Sequence, residues 1–240
     1  MPDRLLEVCV DSTEGLAAAI AGGADRIELC SALSLGGLTP SLGFMKQAAA
    51  APVPVFAMIR PRVGDFKFNV AEVSIMKHDI DAAREAGLAG VVLGASNSDY
   101  SLDTATLASL TSTAAGLGTT LHRAIDLSPD MEAAVDQAIE LGFDRVLTSG
   151  GQTTANAGRG MLQKMHERAD GRLSIMAGSG VTSDTAQTIL KAVPLHELHA
   201  SCSETVAVST SKSTRFGFAT LESKQTSATK VASLKKLIQQ

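Results

Sequence analysis

Residues 25–40 read DRIELCSALSLGGLTP, a short apolar strand that runs into a loop rich in Ser and Gly and closed by Pro40. Successive side chains of a strand point to opposite faces, so Ile27 and Leu29 share one face while Glu28 and Cys30 share the other. A carboxylate and a thiol on one face, at the end of a strand that opens into a Gly-rich loop, indicate the edge of a binding site.

The same strand-and-helix unit recurs along the chain. Helices are predicted over about 13–21, 41–50, 73–86, 103–115 and 231–238, with Pro129 in the first turn of another. Eight short strands are predicted near residues 5–11, 27–30, 55–60, 91–95, 119–125, 145–149, 173–176 and 197–200. Eight strands reached through helices predict an α/β fold, a single-domain TIM (β/α)8 barrel over residues 1–240.

A sequence echo supports the repeated unit. Residues 23–27 (GADRI) recur as residues 142–146 (GFDRV), each where a helix ends and a strand begins. Past residue 200 the pattern changes, because residues 203–229 are rich in Ser and Thr. We expect this segment to be a loop over the barrel mouth or a disordered connector, followed by a final helix in residues 230–240.

Composition excludes several classes of function. The net charge of −4 offers no basic face for nucleic acid, and no apolar run approaches the roughly 18 residues that a membrane span needs. The N-terminus shows no signal-peptide pattern. Three cysteines are too few for a disulfide framework, so we expect a reducing, cytosolic setting.

In a TIM barrel the working residues lie at the C-terminal ends of the strands. Glu7, Glu28 and Arg60 are predicted to point inward there, where an unpaired buried charge is costly. They should therefore pair with one another, as an ion-pair network that fills the barrel, or bind a ligand.

Two histidines are further candidates. His122 is either a core histidine or a catalytic one, with Arg123 and Asp126 close enough in sequence to orient its ring or to bind an anion. His199 lies near the end of the eighth predicted strand.

Cys9 and Cys30 lie on consecutive strands, whose spacing is roughly 4.8 Å, and both face inward. Two thiolates form a soft pair suited to Cu(I), and the inward Met58 could add a thioether. The alternative is that both are small buried apolar residues with inert thiols.

Gly-rich turns follow the sixth and seventh predicted strands, and such turns can present backbone N–H groups to an anion. The alternative is a tight turn that needs positive φ. The candidate anion-binding residues are Arg62, Gly150, Gly151, Gly178 and Gly180.

Several long segments resemble the CutC family of copper-homeostasis proteins. They are LEVCVDS (6–12), GGADRIELCSALSLGGLTPS (22–41), VPVFAMIRPRVGDF (53–66), LHRAIDL (121–127), LGFDRVLTSGG (141–151) and IMAGSGV (175–181). The resemblance implies a single TIM barrel that self-associates as a dimer or tetramer. It also implies a Cu(I) site at Cys9 and Cys30.

Two functions remain open. The first is a copper-homeostasis protein that binds Cu(I) through Cys9 and Cys30, with Met58 or His199 as further ligands. The second is an enzyme acting on a small anionic, for example phosphorylated, metabolite. There Arg60, Arg62 and the Gly-rich loops would hold the anion, Glu28 or Glu7 would act as general base, and His122 as general acid. Asp126 and His199 complete the candidate catalytic residues.

Overall fold

Eight parallel strands close into a barrel in sequence order, β1 beside β8, which confirms the TIM barrel. The computed structural model describes residues 4–207 and 211–240. The barrel strands are β1 Leu5–Val10, β2 Arg26–Leu29, β3 Val55–Met58, β4 Gly90–Leu93, β5 Gly118–Leu121, β6 Arg145–Thr148, β7 Ser174–Ala177 and β8 Glu197–Ala200.

The helices form an outer layer on the barrel. In chain order they are α1 Thr13–Ala21, α2 Leu42–Ala48, α3 Val70–Glu85, α4 Thr104–Thr113, α5 Met131–Glu140, α6 Arg159–Ala169, α7 Ser183–Ala192, α8 Ser211–Arg215 and α9 Ala228–Ile238. The outward strand positions, such as Leu6, Val8 and Ile27, are fully buried against them. None of the helices in the described ranges is long and apolar enough to cross a bilayer.

The N-terminal end of the barrel, here called the floor, is filled by charged side chains around one ring. The Arg26 and Arg145 guanidinium groups lie 5.4 and 4.9 Å from the centroid of the Phe56 ring. Arg26 donates to Glu7 and to Glu197, and Arg145 Nε lies 3.3 Å from Glu197 Oε2. An ion-pair network therefore fills the floor, but of Glu7, Glu28 and Arg60, which were expected to pair with one another, it includes Glu7 alone.

The sequence echo corresponds to a structural one. Asp25 accepts a hydrogen bond from Leu6 N at 2.7 Å, and Asp144 accepts one from Thr119 N at 2.7 Å. Each aspartate thus ties its own strand to the start of the preceding strand. The arginine that follows each aspartate then enters the floor.

Two glycines make room for the floor ring. A Cβ at Gly90 or at Gly118 would lie closer than 3.0 Å to the Phe56 ring. Small residues on β4 and β5 are therefore what allows an aromatic side chain to sit between the two arginines.

The segment after β8 differs from the expected loop. β9 Ser203–Ala207 and β10 Glu222–Thr226 pair as an antiparallel hairpin with α8 between them, and residues 208–210 lie outside the described part. Polar stretches such as these can form strands when a partner strand is available, and the partner lies about 20 residues away in sequence. The final helix begins at Ala228, slightly earlier than expected.

Two smaller predictions were wrong. Pro129 precedes helix α5, whose N-cap is Asp130, rather than lying in its first turn. β5 ends at Leu121, and Arg123–Leu127 form a 3-10 helix capped by the His122 side chain.

Candidate functional site

Three donor groups meet inside the C-terminal half of the barrel, here called the mouth. The strand register pairs Cys9 with Glu28 across β1 and β2, and Glu7 with His199 across β1 and β8. One ligand atom each from Cys9, Glu28 and His199 lies within 4.8 Å of the other two. We call these three residues the donor cluster.

Glu7 fixes the orientation of the His199 ring. Its Oε1 lies 2.8 Å from His199 Nδ1, and His199 Nε2 lies 3.8 Å from Glu28 Oε2. A carboxylate on one ring nitrogen that leaves the other facing the donors is the usual outer support of a metal-binding histidine. The imidazole is therefore held ready to present Nε2 to a ligand.

The negative charge of Glu7 and the positive charge of His199 stabilise each other. Burial alone would raise the pKa of Glu7, but Arg26 and His199 hold it at about 2. Burial opposes protonation of His199, yet the Glu28, Cys9 and Glu7 side chains around it raise its pKa well above the usual value. Glu7 is thus a fixed anion, which removes it from the candidates for proton transfer.

Glu28 is in a different state. Burial, with the nearby Glu7 charge, raises its pKa despite the opposing His199, and its Oε1 has no hydrogen-bond partner among the described residues. Its Oε2 accepts from Cys30 Sγ at 3.5 Å. Glu28 is the carboxyl group at this site whose protonated form is favoured by burial.

Cys30 is adjacent to the donor cluster and outside it. It follows the end of β2, two residues beyond the position paired with Cys9, so the two cysteines are not directly opposite. Burial and the Glu28 carboxylate raise the pKa of its thiol well above the usual range. The thiol packs with Phe56, Met58 and Val92.

A loop covers the Cys30 thiol. A Cβ at Gly37, whose φ is +82°, would lie 3.2 Å from Cys30 Sγ. Both the positive φ and the close approach require glycine there.

Arg60 joins two loops of the mouth. Its Nη1 donates to the carbonyls of Leu35 and Gly37 at 3.2 and 3.1 Å, and its Nη2 donates to the carbonyl of Gly64 at 2.8 Å. Its Nε has no acceptor among the described residues. All its partners are neutral, so its positive charge is not cancelled by a carboxylate.

His122 faces the mouth from the end of β5. Burial, with the positive charge of Arg60, lowers its pKa to about 3. Its ring lies 4.7 Å from that of Phe66, and its Nδ1 accepts from Ala124 N at 3.2 Å. A neutral histidine of this kind is a hydrogen-bond donor through Nε2, and it is a poor general acid.

Asp126 does not orient His122. Its carboxylate accepts from Arg123 Nε at 2.7 Å, from Thr148 Oγ1 at 2.5 Å and from Gly151 N at 3.1 Å. Ser149 N also donates to it at 3.0 Å. Asp126 therefore holds the loop after β6.

The candidate anion-binding groups are mostly engaged within the chain. Arg62 pairs with Asp65 and Glu72 at the surface. Gly150 N donates to Thr148 Oγ1, and Gly151 N donates to Asp126 Oδ1. Gly178 N donates to the carbonyl of Thr148. Gly180 has φ +67° and lies against Thr154. Positive φ at Gly150, Gly151 and Gly180 fits the tight-turn interpretation, and Gly178 does not share it.

Sequence reasoning did not identify the floor residues Arg26, Arg145, Glu197 and Phe56. The echo at 23–27 and 142–146 was the available signal, because it places an arginine at the same point of two strands. Its inward direction follows from the alternation that places Glu28 inward.

Two known proteins are similar to this chain over most of its length. Family protein CutC of Sinorhizobium medicae is 54% identical over 231 residues, covering 96% of this chain and 94% of the relative. The CutC of Caulobacter vibrioides strain NA1000 is 54% identical over 197 residues, covering 82% and 80%.

Among solved structures, a CutC from Streptococcus agalactiae, provisionally named a copper homeostasis protein, superposes with a TM-score of 0.79 at 32% identity. It covers 82% of this chain and 98% of that one. A deoxyribose phosphate aldolase from Aeropyrum pernix superposes with a TM-score of 0.58 at 14% identity, covering 82% and 85%, which shows a shared fold alone. The CutC family model matches residues 4–204, and with these relatives it establishes that the chain belongs to the CutC family.

Proposed function

We propose that this protein serves copper homeostasis by binding Cu(I) at the barrel mouth. The observation that carries the proposal is the donor cluster, in which Cys9, Glu28 and His199 offer sulfur, oxygen and nitrogen atoms within 4.8 Å of one another. The name of the Streptococcus agalactiae relative points in the same direction.

The donor chemistry fits a soft or borderline metal. The Cys9 thiolate and the His199 Nε2 are ligands that copper accepts, and Cys30 and Met58 line the same interior as further sulfur donors. Glu28 Oε1, buried without a described partner, is the kind of unused group that a bound ion would explain.

Glu28 also has a role in the proton balance. When Cu(I) binds Cys9 and His199, it displaces the thiol proton of Cys9 and the proton on His199, whose pKa is raised. Glu28, the carboxyl group of the donor cluster, has a raised pKa and can receive one of these protons, while the other is released to solvent.

Two further features belong to the proposal. We place the protein in the reducing cytosol because its three cysteines, Cys9, Cys30 and Cys202, are free thiols. We also expect a dimer or tetramer in solution, to be checked by light scattering.

The test is an anaerobic Cu(I) titration of the reduced protein against a competing chelator. We expect stoichiometric binding in the wild type, binding that is at least about tenfold weaker in Cys9→Ser, and unchanged binding in Cys202→Ser, whose thiol is outside the donor cluster. The Cu(I) affinity of Cys30→Ser measures whether the Cys30 sulfur is also a ligand. Equal affinity in wild type and in the Cys9→Ser, Cys30→Ser double variant would reject Cu(I) binding at this site.

The alternative function is an enzyme acting on a small anionic metabolite. One observation favours it specifically, because Glu28 is buried, has a raised pKa and keeps one oxygen without a described partner. A carboxyl group in that state is suited to take a proton from a substrate carbon or hydroxyl.

This alternative has a test that needs no known substrate. A mixture of small keto and hydroxy acids in D2O is incubated with the protein, and 1H NMR follows the loss of signals from carbon-bound hydrogen. Exchange that is present with wild type and with Glu14→Gln but absent with Glu28→Gln would support an enzyme. No exchange with any of the three proteins would count against proton abstraction.

A further inference from the structure

Two buried N–H groups at the mouth lack an acceptor among the described residues. They are the Nε of Arg60, a residue that is 6% exposed, and the Nε2 of His122, a residue that is 3% exposed. Leaving a buried donor unpaired costs about 1–3 kcal/mol. Two such donors in one region indicate that a ligand supplies the acceptors.

The proton position on His122 follows from geometry. The backbone N–H of Ala124 donates to His122 Nδ1 at 3.2 Å, so Nδ1 must carry a lone pair. The ring hydrogen is therefore on Nε2. His122 presents a donor, and only an acceptor can satisfy it.

Arg60 is fixed in place before any ligand arrives. Its three hydrogen bonds to the carbonyls of Leu35, Gly37 and Gly64 hold the guanidinium group, and its backbone N–H donates to Thr39 Oγ1 at 3.0 Å. None of the described ion pairs includes Arg60. A rigid cation with neutral partners favours an anion.

Phe66 brings the two groups into one neighbourhood. Its ring centroid lies 5.1 Å from Arg60 Cζ and 4.7 Å from the centroid of the His122 ring. The two donors come from the ends of β3 and β5 and rest against the same aromatic ring. A ligand placed there would meet both donors and an apolar surface.

We propose that Arg60 and His122 bind a small organic oxyanion, a carboxylate or a phosphate monoester, at the mouth of the barrel. Arg60 supplies the positive charge and one N–H, His122 supplies a neutral N–H, and Phe66 contacts the carbon skeleton. The inference goes beyond copper binding and does not depend on it, because none of the three residues belongs to the donor cluster.

The first test follows His122 directly in the full-length protein. Long-range 1H–15N spectra of protein labelled at its five histidines, with His122→Phe to assign the signal, report on Nε2. Sodium acetate and methyl phosphate are titrated separately at ionic strength held constant with sodium chloride. We expect a saturable shift of the His122 Nε2 signal with at least one of them, and the stronger ligand identifies the anion.

Variants test the assignment by calorimetry with the stronger ligand. His122→Phe keeps a ring and removes the donor, and Arg60→Lys keeps the charge and removes the Nε donor. Each should weaken binding about tenfold. Arg168→Gln, which removes a surface charge paired with Asp136, should leave the affinity unchanged.

Two results would overturn the inference. One is a His122 signal that does not move with either anion, or that moves equally with sodium chloride alone. The other is a loss of affinity in Arg168→Gln equal to that in Arg60→Lys, which would indicate an effect of surface charge. Cys9→Ser should bind the anion normally, and this separates the failure of this inference from the failure of copper binding.

Discussion

His199 Nδ1 lies 2.8 Å from Glu7 Oε1, which ties the donor cluster at the mouth to the charged floor of the barrel. The same carboxylate accepts from Arg26 through its other oxygen. Glu7 thus contacts both the floor and the donor cluster. Replacing Glu7 tests how much it contributes to each.

Replacing Glu7 should destabilise the fold strongly. Glu7→Gln leaves Arg26 and His199 without their shared anion in a buried site, and removing one partner of a buried ion pair costs about 3–5 kcal/mol. We expect a loss of that size in the free energy of unfolding, measured with urea at pH 7. The exposed Glu14→Gln is the control and should change stability by less than about 0.5 kcal/mol. A loss below about 1 kcal/mol in Glu7→Gln would contradict the double role.

His122 should make the protein sensitive to acid. Its pKa is about 3 in the folded protein and 6.5 as the ordinary value, so between these pH values the unfolded chain binds a proton that the folded chain does not. The stabilising contribution is complete above pH 6.5 and is lost as pH falls towards 3, with about 2 kcal/mol lost by pH 5.

The measurement for this prediction is urea unfolding from pH 7.5 to pH 5. His122→Phe should show a flatter dependence than the wild type, because it removes the titrating ring and keeps the packing against Phe66. Parallel curves for the two proteins would show that another group dominates in this range.

Adding a methyl group at Gly90, in the floor of the barrel, should lower the stability of the fold. Gly90→Ala would place Cβ closer than 3.0 Å to the Phe56 ring, and overpacking of this kind costs about 1–3 kcal/mol. Gly160→Ala in helix α6 meets nothing within 4 Å and should gain up to about 1 kcal/mol from helix propensity. Thermal unfolding of both variants checks the opposite signs, and equal effects would show that the ring can move.

Replacing Asp126 should loosen the loop after β6 and leave the donor cluster unchanged. Asp126→Asn weakens the bonds to Arg123 and to the loop after β6, with a loss of about 1–3 kcal/mol in unfolding free energy. Limited proteolysis should then cut faster within residues 150–158. Cu(I) affinity should equal that of the wild type, and a parallel loss of affinity would give Asp126 a role in the site.

Local patterning was enough to predict the barrel and the direction of its side chains. Alternation in β1 separates Leu6 and Val8 from Glu7 and Cys9, and the structure buries the first pair under helices and the second pair inside the barrel. The face on which a side chain lies depends on its position relative to its neighbours in sequence, and one sequence is enough to read this.

Strand register and long-range partners could not be predicted. Register places Glu28 opposite Cys9 and leaves Cys30 beyond it, which no spacing within either strand reveals. Apart from Arg123, the partners of Asp126 come from the strand and loop 22–25 residues later, whereas the sequence suggested that Asp126 could orient the nearer His122. The β9–β10 hairpin was missed for the same reason, since each strand is recognisable only beside the other.

The paired arginines around Phe56 have a consequence for protein engineering. Asp25 with Arg26 and Asp144 with Arg145 repeat one structural unit four strands apart. The mouth above has Glu28 and Cys30 at the end of one of those strands and Leu147 and Ser149 at the end of the other. The ion pairs that stabilise the barrel and the side chains of the candidate site thus lie at opposite ends of the same strands. The mouth of this barrel could be redesigned for a new ligand while the floor is kept intact as its foundation.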